Sequence, residues 1–414
     1  MIKNIIIIAL IIASTTCWAA DNYSLEQLIE IALQNSYDSQ YANTTLKNAT
    51  GQVRSSYYNL LPSASAGLYR TRDFDLEPQE WSNSAQLSLS KSFSLNDPDF
   101  YNIITTGYEQ QNAELNLVNS TKEVAFSVFS RYLDVLQNKT ILAIQQKNLE
   151  LQGKIHQQTT ILYDNGKKSL LDLRQSEIYL IDYSIAVKDA EINLQKSRNL
   201  LFNYLNIADN GSELDTLMIS TQLDPGEYSA NITIQQKINN IKKQQVNLIQ
   251  QKLDFLPELS LSYTLYHNND TSFFESEKFY RSTNTFSLSA TWNIFNLLQN
   301  NETHSILRRS LKLLQLDLSI YTKNLENNVQ VINQELENLK TTSEMYLQKL
   351  TLARQNMDMA QQQYQLGTIG LIDLDRNRLD LQNAQLSYNT RYYDLIRKQQ
   401  ELNLLLSRPI LDKW

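Results

Sequence analysis

Little punctuates or staples this chain: its 414 residues hold one cysteine, six prolines, nine glycines and three histidines. Cys17 stands alone, so no intrachain disulfide can form. Glycine and proline normally make up about 7% and 5% of a sequence. Here no proline falls between Pro98 and Pro225, or between Pro257 and Pro409. Two long stretches thus lack the strongest helix breaker, which predicts long helices. His156, His267 and His304 are isolated, with no metal-ligand spacing around them. Neither a Gly-rich phosphate loop nor a nucleophile elbow occurs. The expectation is therefore no enzyme, no metal and no cofactor. The formal charge is −7 without a basic block, which argues against nucleic acid as a partner.

Long apolar runs are missing too, except at the start. Lys3 precedes an apolar core from Ile5 to Ala13, followed by Cys17-Trp18-Ala19. That order reads as an export signal over residues 1–19, cleaved after Ala19. The run is well short of the roughly 18–20 residues of a membrane-spanning helix. A lipid-bearing Cys17 is the alternative, disfavoured by Ser14 three positions earlier.

What is present occurs twice. Tyr163-Asp164-Asn165-Gly166-Lys167-Lys168-Ser169-Leu170-Leu171-Asp172-Leu173 returns as Tyr364-Gln365-Leu366-Gly367-Thr368-Ile369-Gly370-Leu371-Ile372-Asp373-Leu374. Leu61-Pro62 returns as Leu256-Pro257, and Ser88-Leu89-Ser90 as Ser287-Leu288-Ser289. A period near 200 is too long for a solenoid unit. It predicts two structural repeats, residues 20–226 and 227–414.

Helical period fills much of each repeat. Leu173, Ser176, Leu180, Tyr183, Val187, Ala190, Leu194, Ser197 and Leu201 form a heptad seam, and Leu374, Leu381, Ala384, Tyr388, Leu395 and Leu402 are its counterpart. Helices of about 99–163 and 297–364 precede them, each roughly 100 Å long at 1.5 Å per residue. Gly166 and Gly367 then mark the tips of two antiparallel hairpins, in left-handed caps. Shorter helices are expected over about 24–59 and 228–254.

Between the helices the period changes to two. Leu259, Leu261, Tyr263 and Leu265 alternate with Ser260, Ser262, Thr264 and Tyr266. Phe286, Leu288, Ala290, Trp292 and Ile294 alternate with Thr285, Ser287, Ser289, Thr291 and Asn293, giving strands over about 258–267 and 284–294. The first repeat matches over about 63–72 and 84–95. One apolar face and one hydroxyl or amide face is the pattern of a transmembrane β-strand. Lys91 interrupts the apolar face and is expected near the membrane interface, where its stem can snorkel. Four strands cannot close a barrel alone, and open edges are not tolerated in lipid. Three chains would supply twelve strands and a polar lumen.

The repeat layout, the two Leu-Pro entries and the paired tips resemble the TolC-type outer-membrane efflux protein family over essentially the whole mature chain. Residues 24–35 resemble the family's opening helix, although Asn35-Ser36 replaces its usual Asn-Pro. The resemblance implies a mainly α protein with a β-barrel portion: a homotrimer whose long hairpins form an α-barrel joined to a twelve-stranded barrel. It implies an outer-membrane location with periplasmic projection, a periplasmic adaptor, and an inner-membrane transporter of RND, ABC or MFS type. Drug efflux and type I protein secretion both remain open. A secreted coiled-coil scaffold or adhesin is the rival, and it does not explain the paired strands.

The resemblance also nominates residues. Asp172, Tyr364 and Asp373 match the family's periplasmic gate and acidic ring. Asp375 and Arg376 stand where the second ring carboxylate is sought, Arg376 occupying its position. Ile369 replaces the gate arginine, leaving Lys167, Lys168 or Arg376 as possible cations for Asp172. The adaptor-docking pairs become Asn165-Gly166 and Leu366-Gly367. For Asp172 and Asp373 a plainer role is open, because a carboxylate in a first helical turn is favoured by the macrodipole.

Overall fold

The computed structural model describes residues 23–72, 74, 81–93, 95, 97–215, 231–269, 282–292 and 296–413. The signal segment, with Cys17 and Ala19, lies outside the described residues. The elements in order are α1 (Leu25–Asn35), α2 (Tyr37–Tyr58), β1 (Ser63–Arg72), β2 (Trp81–Phe93), α3 (Pro98–Asp164) and α4 (Leu170–Leu205). The second half repeats the order with α5 (Ile232–Leu253), β3 (Glu258–Asn269), β4 (Ser282–Thr291), α6 (Asn296–Gln365) and α7 (Leu371–Leu405). No described helix is long and apolar enough to cross a membrane.

The expected first helix is two. Ser24 caps α1 through a reciprocal box with Gln27, whose backbone and side chain meet it at 3.2 and 3.0 Å. Leu25, Leu28, Ile29 and Ala32 then form one buried stripe. Ser36 takes an extended backbone (φ −69°, ψ 141°) while its N–H still bonds the Ala32 carbonyl. The chain restarts as α2, which buries only Ala42 and Ser56. The other long helices fall within a residue of expectation. Pro98 opens α3, where its missing N–H costs nothing and its fixed φ suits the first turn.

Two compact units divide the chain. Among the described residues, one comprises those within 23–36, 124–215 and 336–399; the other comprises those within 37–123, 231–335 and 400–413. The first has an apolar core where Leu28 and Ile29 are buried, as are Phe129, Tyr132, Leu133, Leu201, Phe202 and Leu205. Tyr132 donates its hydroxyl to the Asp215 carbonyl at 2.5 Å, and Tyr23 bridges Leu214. A second cluster joins Ile155 to Ala353, Met357, Ala360, Tyr364, Leu371 and Leu374.

The other unit holds a four-stranded antiparallel sheet in the order β1-β2-β3-β4. Its strands start up to three residues earlier than the alternation indicated, because Trp81 and Asn83 pair with Arg72 and Arg70. Register places hydroxyls in rows across all four strands. Ser63, Ser90, Ser262 and Ser287 form one row, and Ser65, Ser88, Thr264 and Thr285 the next. Neighbouring hydroxyls bond along them, Ser63 to Ser90 at 2.8 Å and Ser65 to Ser88 at 2.6 Å. Apolar rows alternate with these: Ala64-Leu89-Tyr263-Phe286, then Ala66-Leu87-Leu265, which ends at Asn284 on β4. Lys91 does not stand free on the apolar face. Its Nζ reaches Asp99 of α3 at 2.9 Å and the Asn59 carbonyl at 2.8 Å, so the charge is paired where strand and helix meet.

Candidate functional site

Both tips close their first helix in the same way. Gly166 has φ 70° and Gly367 φ 75°. The Gly166 N–H donates to the Tyr163 carbonyl and the Lys167 N–H to the Leu162 carbonyl, each at 2.8 Å. At the second tip, Gly367 donates to Tyr364 at 3.0 Å and Thr368 to Gln363 at 2.9 Å. These paired bonds make a Schellman cap, in which the left-handed residue is best a glycine. A Cβ at either glycine would meet no atom, so the constraint is one of backbone conformation alone.

The tips differ in how the next helix starts. Ser169 caps α4, its Oγ accepting the Asp172 N–H at 3.1 Å. The Asp172 carboxylate accepts the Ser169 N–H at 3.1 Å and the Ser169 hydroxyl at 2.8 Å. Asp172 is therefore a capping-box residue. Gly370 holds the corresponding place before α7 and has no hydroxyl to offer. Asp373 lies back toward it, its carboxylate 3.7 Å from where a Cβ would stand. Asp373 and Arg376 are exposed, and among the described residues neither side chain has an ion-pair partner.

Tyr364 is fully buried in the second cluster. Thr159 gives its own proton to the Ile155 carbonyl at 2.8 Å, so the Tyr364 hydroxyl donates to Thr159 Oγ1 at 2.7 Å. Burial raises the phenol's pKa, the contact with Thr159 opposes that shift, and the nearby Asp172 charge adds to it. Lys168, one of the cations considered for Asp172, sits 4.8 Å over the Tyr364 ring. Ile369 packs against the same apolar cluster, which suits an aliphatic side chain in place of arginine.

Asp375 needs correction. Counted as an exposed ring charge, it is buried and ion-paired with Arg378. Arg378 is 1% exposed and also donates to Gln152. Its guanidinium stacks 4.0 Å from the Tyr183 ring and 5.5 Å from Tyr179. Burial lowers its pKa, with the two tyrosines opposing the shift; arginine stays charged regardless. The cluster extends outward in hydrogen bonds. Gln152 donates to the Ser176 carbonyl at 3.1 Å, Ser176 Oγ meets His156 Nδ1 at 2.8 Å, and Tyr183 donates to Gln382 at 2.8 Å. Sequence reasoning missed Arg378. The signal was there: it falls on the seam between Leu374 and Leu381, where a charge is out of place.

Among the described residues, no group of three or more His, Cys, Asp or Glu is placed to hold a metal ion. No protein-family profile matches the chain, and no curated protein matches it by sequence. Solved structures do match in fold. CusC, described in terms of folding and transmembrane channel formation, superposes with a TM-score of 0.85 at 15% identity, over 93% of this chain and 92% of its own. The outer-membrane protein VceC of Vibrio cholerae gives 0.82 at 14% identity, over 93% and 96%. The open state of the Neisseria gonorrhoeae outer-membrane channel MtrE gives 0.79 at 15%, over 93% and 89%. The chain has the fold of an outer-membrane channel. In that fold the hydroxyl rows and the apolar rows occupy opposite faces of the sheet, and the two hairpin tips carry Asp172, Asp373 and Arg376.

Proposed function

We propose that this protein is the outer-membrane channel of a tripartite export system, a passive conduit through the periplasm and outer membrane. The observation that carries this reading is the sheet: four strands, two open edges, one apolar face and one face of aligned hydroxyls. Such a sheet is a barrel segment lacking its neighbours. Three copies complete twelve strands, with hydroxyl rows lining water and apolar rows facing lipid. Strands of about ten residues, tilted by about 40°, span roughly 25 Å, the height of an apolar band in an outer-membrane barrel. Exposed stripes support a multimer as well. Ile178, Ile181, Ile185 and Ile192 on α4 are all at least half exposed in the single chain, at spacings that keep them on one helical face.

In this assembly the helical hairpins stand in the periplasm. Gly166 and Gly367 would face the adaptor, which connects to an inner-membrane transporter. Asp172, Asp373 and Arg376 would border the entrance, while Tyr364 and the Asp375–Arg378 pair brace the hairpins from within. Purified protein in detergent should sediment as a folded trimer and form water-filled pores in a planar bilayer. A stable, folded monomer without conductance would overturn the reading.

A further inference from the structure

The apolar face of β1 and β2 ends in a pair of cations. Ala64, Ala66 and Leu68 share their face with Arg70 and Arg72, because side chains two residues apart point the same way. Arg72 lies directly across from Trp81, and Arg70 from Asn83. The Arg70 guanidinium is 4.7 Å from the Trp81 ring centroid, and that of Arg72 is 5.6 Å away. Arg72 also lies 5.5 Å from the Phe74 ring. One indole thus holds two like charges together on an exposed surface. Next to them is a largely apolar hollow of about 420 Å³, lined by Ala66, Leu68, Ala85, Leu87 and Leu265 together with Gly67 and Gln86.

We infer that this corner binds a phosphorylated lipid, with its phosphate on Arg70 and Arg72 and an acyl chain in the hollow. The inference rests on the channel reading, since it takes the apolar face to be the lipid face. Two guanidiniums side by side repel unless an anion lies between them, and phosphate accepts from both in fork geometry. A free anion would use the arginines but not the hollow. A zwitterionic lipid would use the hollow but neutralise the arginines poorly. A chain with a phosphomonoester headgroup satisfies both. Trp81 marks the level at which headgroups lie, as aromatic residues do at barrel interfaces.

The test uses the full-length protein purified in detergent. Native mass spectrometry compares phosphatidic acid with phosphatidylcholine of the same chains, and with inorganic phosphate. Phosphatidic acid should be retained preferentially, and Arg70→Gln/Arg72→Gln should weaken that retention about thirtyfold, the attraction of two cations for an anionic headgroup. Phosphatidylcholine binding should be unchanged, and Arg70→Lys/Arg72→Lys should keep only part of the preference, since an ammonium supplies the charge without the fork. Equal retention by the glutamine variant overturns the site. Inorganic phosphate binding as tightly as the lipid overturns the acyl-chain part. Pore formation is measured on the same samples. Conducting protein without lipid preference sinks this site alone, whereas protein that neither assembles nor conducts sinks the channel reading.

Discussion

Arg378 shows how one side chain can hold two hairpins together at considerable cost. Its charge is removed from water and compensated by Asp375, Gln152 and the face of Tyr183. Breaking such a pair from one side is far worse than removing both members, because the survivor is left buried and unpaired. Arg378→Met should therefore destabilise the protein by about 3–5 kcal/mol, read as a lowered thermal midpoint in detergent. The double variant Arg378→Met/Asp375→Leu should recover much of that loss. Strictly additive losses would mean that the two residues are not energetically coupled. Residues of this kind were the least legible in the sequence. Asp172, Asp375 and Asp373 look alike as acids near a helix start, yet one is tied to Ser169, one is buried and one is exposed. Ser169 against Gly370 separates the first from the last. Only three-dimensional packing reveals that Asp375 faces inward, since Arg378 is the partner that turns it.

At the scale of elements, period carried most of the information. Alternation located all four strands to within about three residues, because a sheet with one apolar and one polar face writes its geometry directly into the sequence. The hairpin tips were equally legible, since a left-handed cap accounts for glycine at 166 and 367 in so glycine-poor a chain. The break at Ser36 was not. It uses neither proline nor glycine, and serine disfavours a helix too weakly to announce an end. The strand faces yield a sharp contrast between adjacent residues. Ser289, bonded to Ser260 at 2.5 Å, lies on the hydroxyl face, and Leu288 lies opposite Leu261 on the apolar one. Ser289→Arg should assemble and change single-channel conductance. Leu288→Arg points into lipid and should impair assembly, by up to the roughly 2–4 kcal/mol that such a charge costs at the bilayer midplane, reducing the yield of trimer in outer-membrane fractions. Equal trimer yields from the two variants would mean that the faces are exchanged or the sheet is not in lipid.

At the scale of the whole molecule, the proposed trimer would repeat each exposed group around an axis. Threefold repetition would set three copies of Asp373 around the entrance, each close in sequence to Arg376. With Asp375 neutralised internally, the ring is weaker than the acids alone indicate. Planar-bilayer recordings should show a modest cation preference that Asp373→Asn reduces, most visibly below about 0.1 M salt, where the screening length exceeds 10 Å. Unchanged selectivity in Asp373→Asn would place the selective ring elsewhere. The open edges of the sheet have a genetic consequence. β1 and β4 are different strands, so every junction in a closed ring joins unlike edges, and each subunit takes part in two of them. A lesion in one edge spoils any ring that contains even a single altered subunit. In a cell making equal amounts of intact and edge-damaged chains, only about one ring in eight would be free of the lesion if subunits mix at random. Edge mutations should therefore behave as dominant alleles. Two chains damaged on opposite edges should fail to complement each other, since each closed ring would still need junctions that neither can supply.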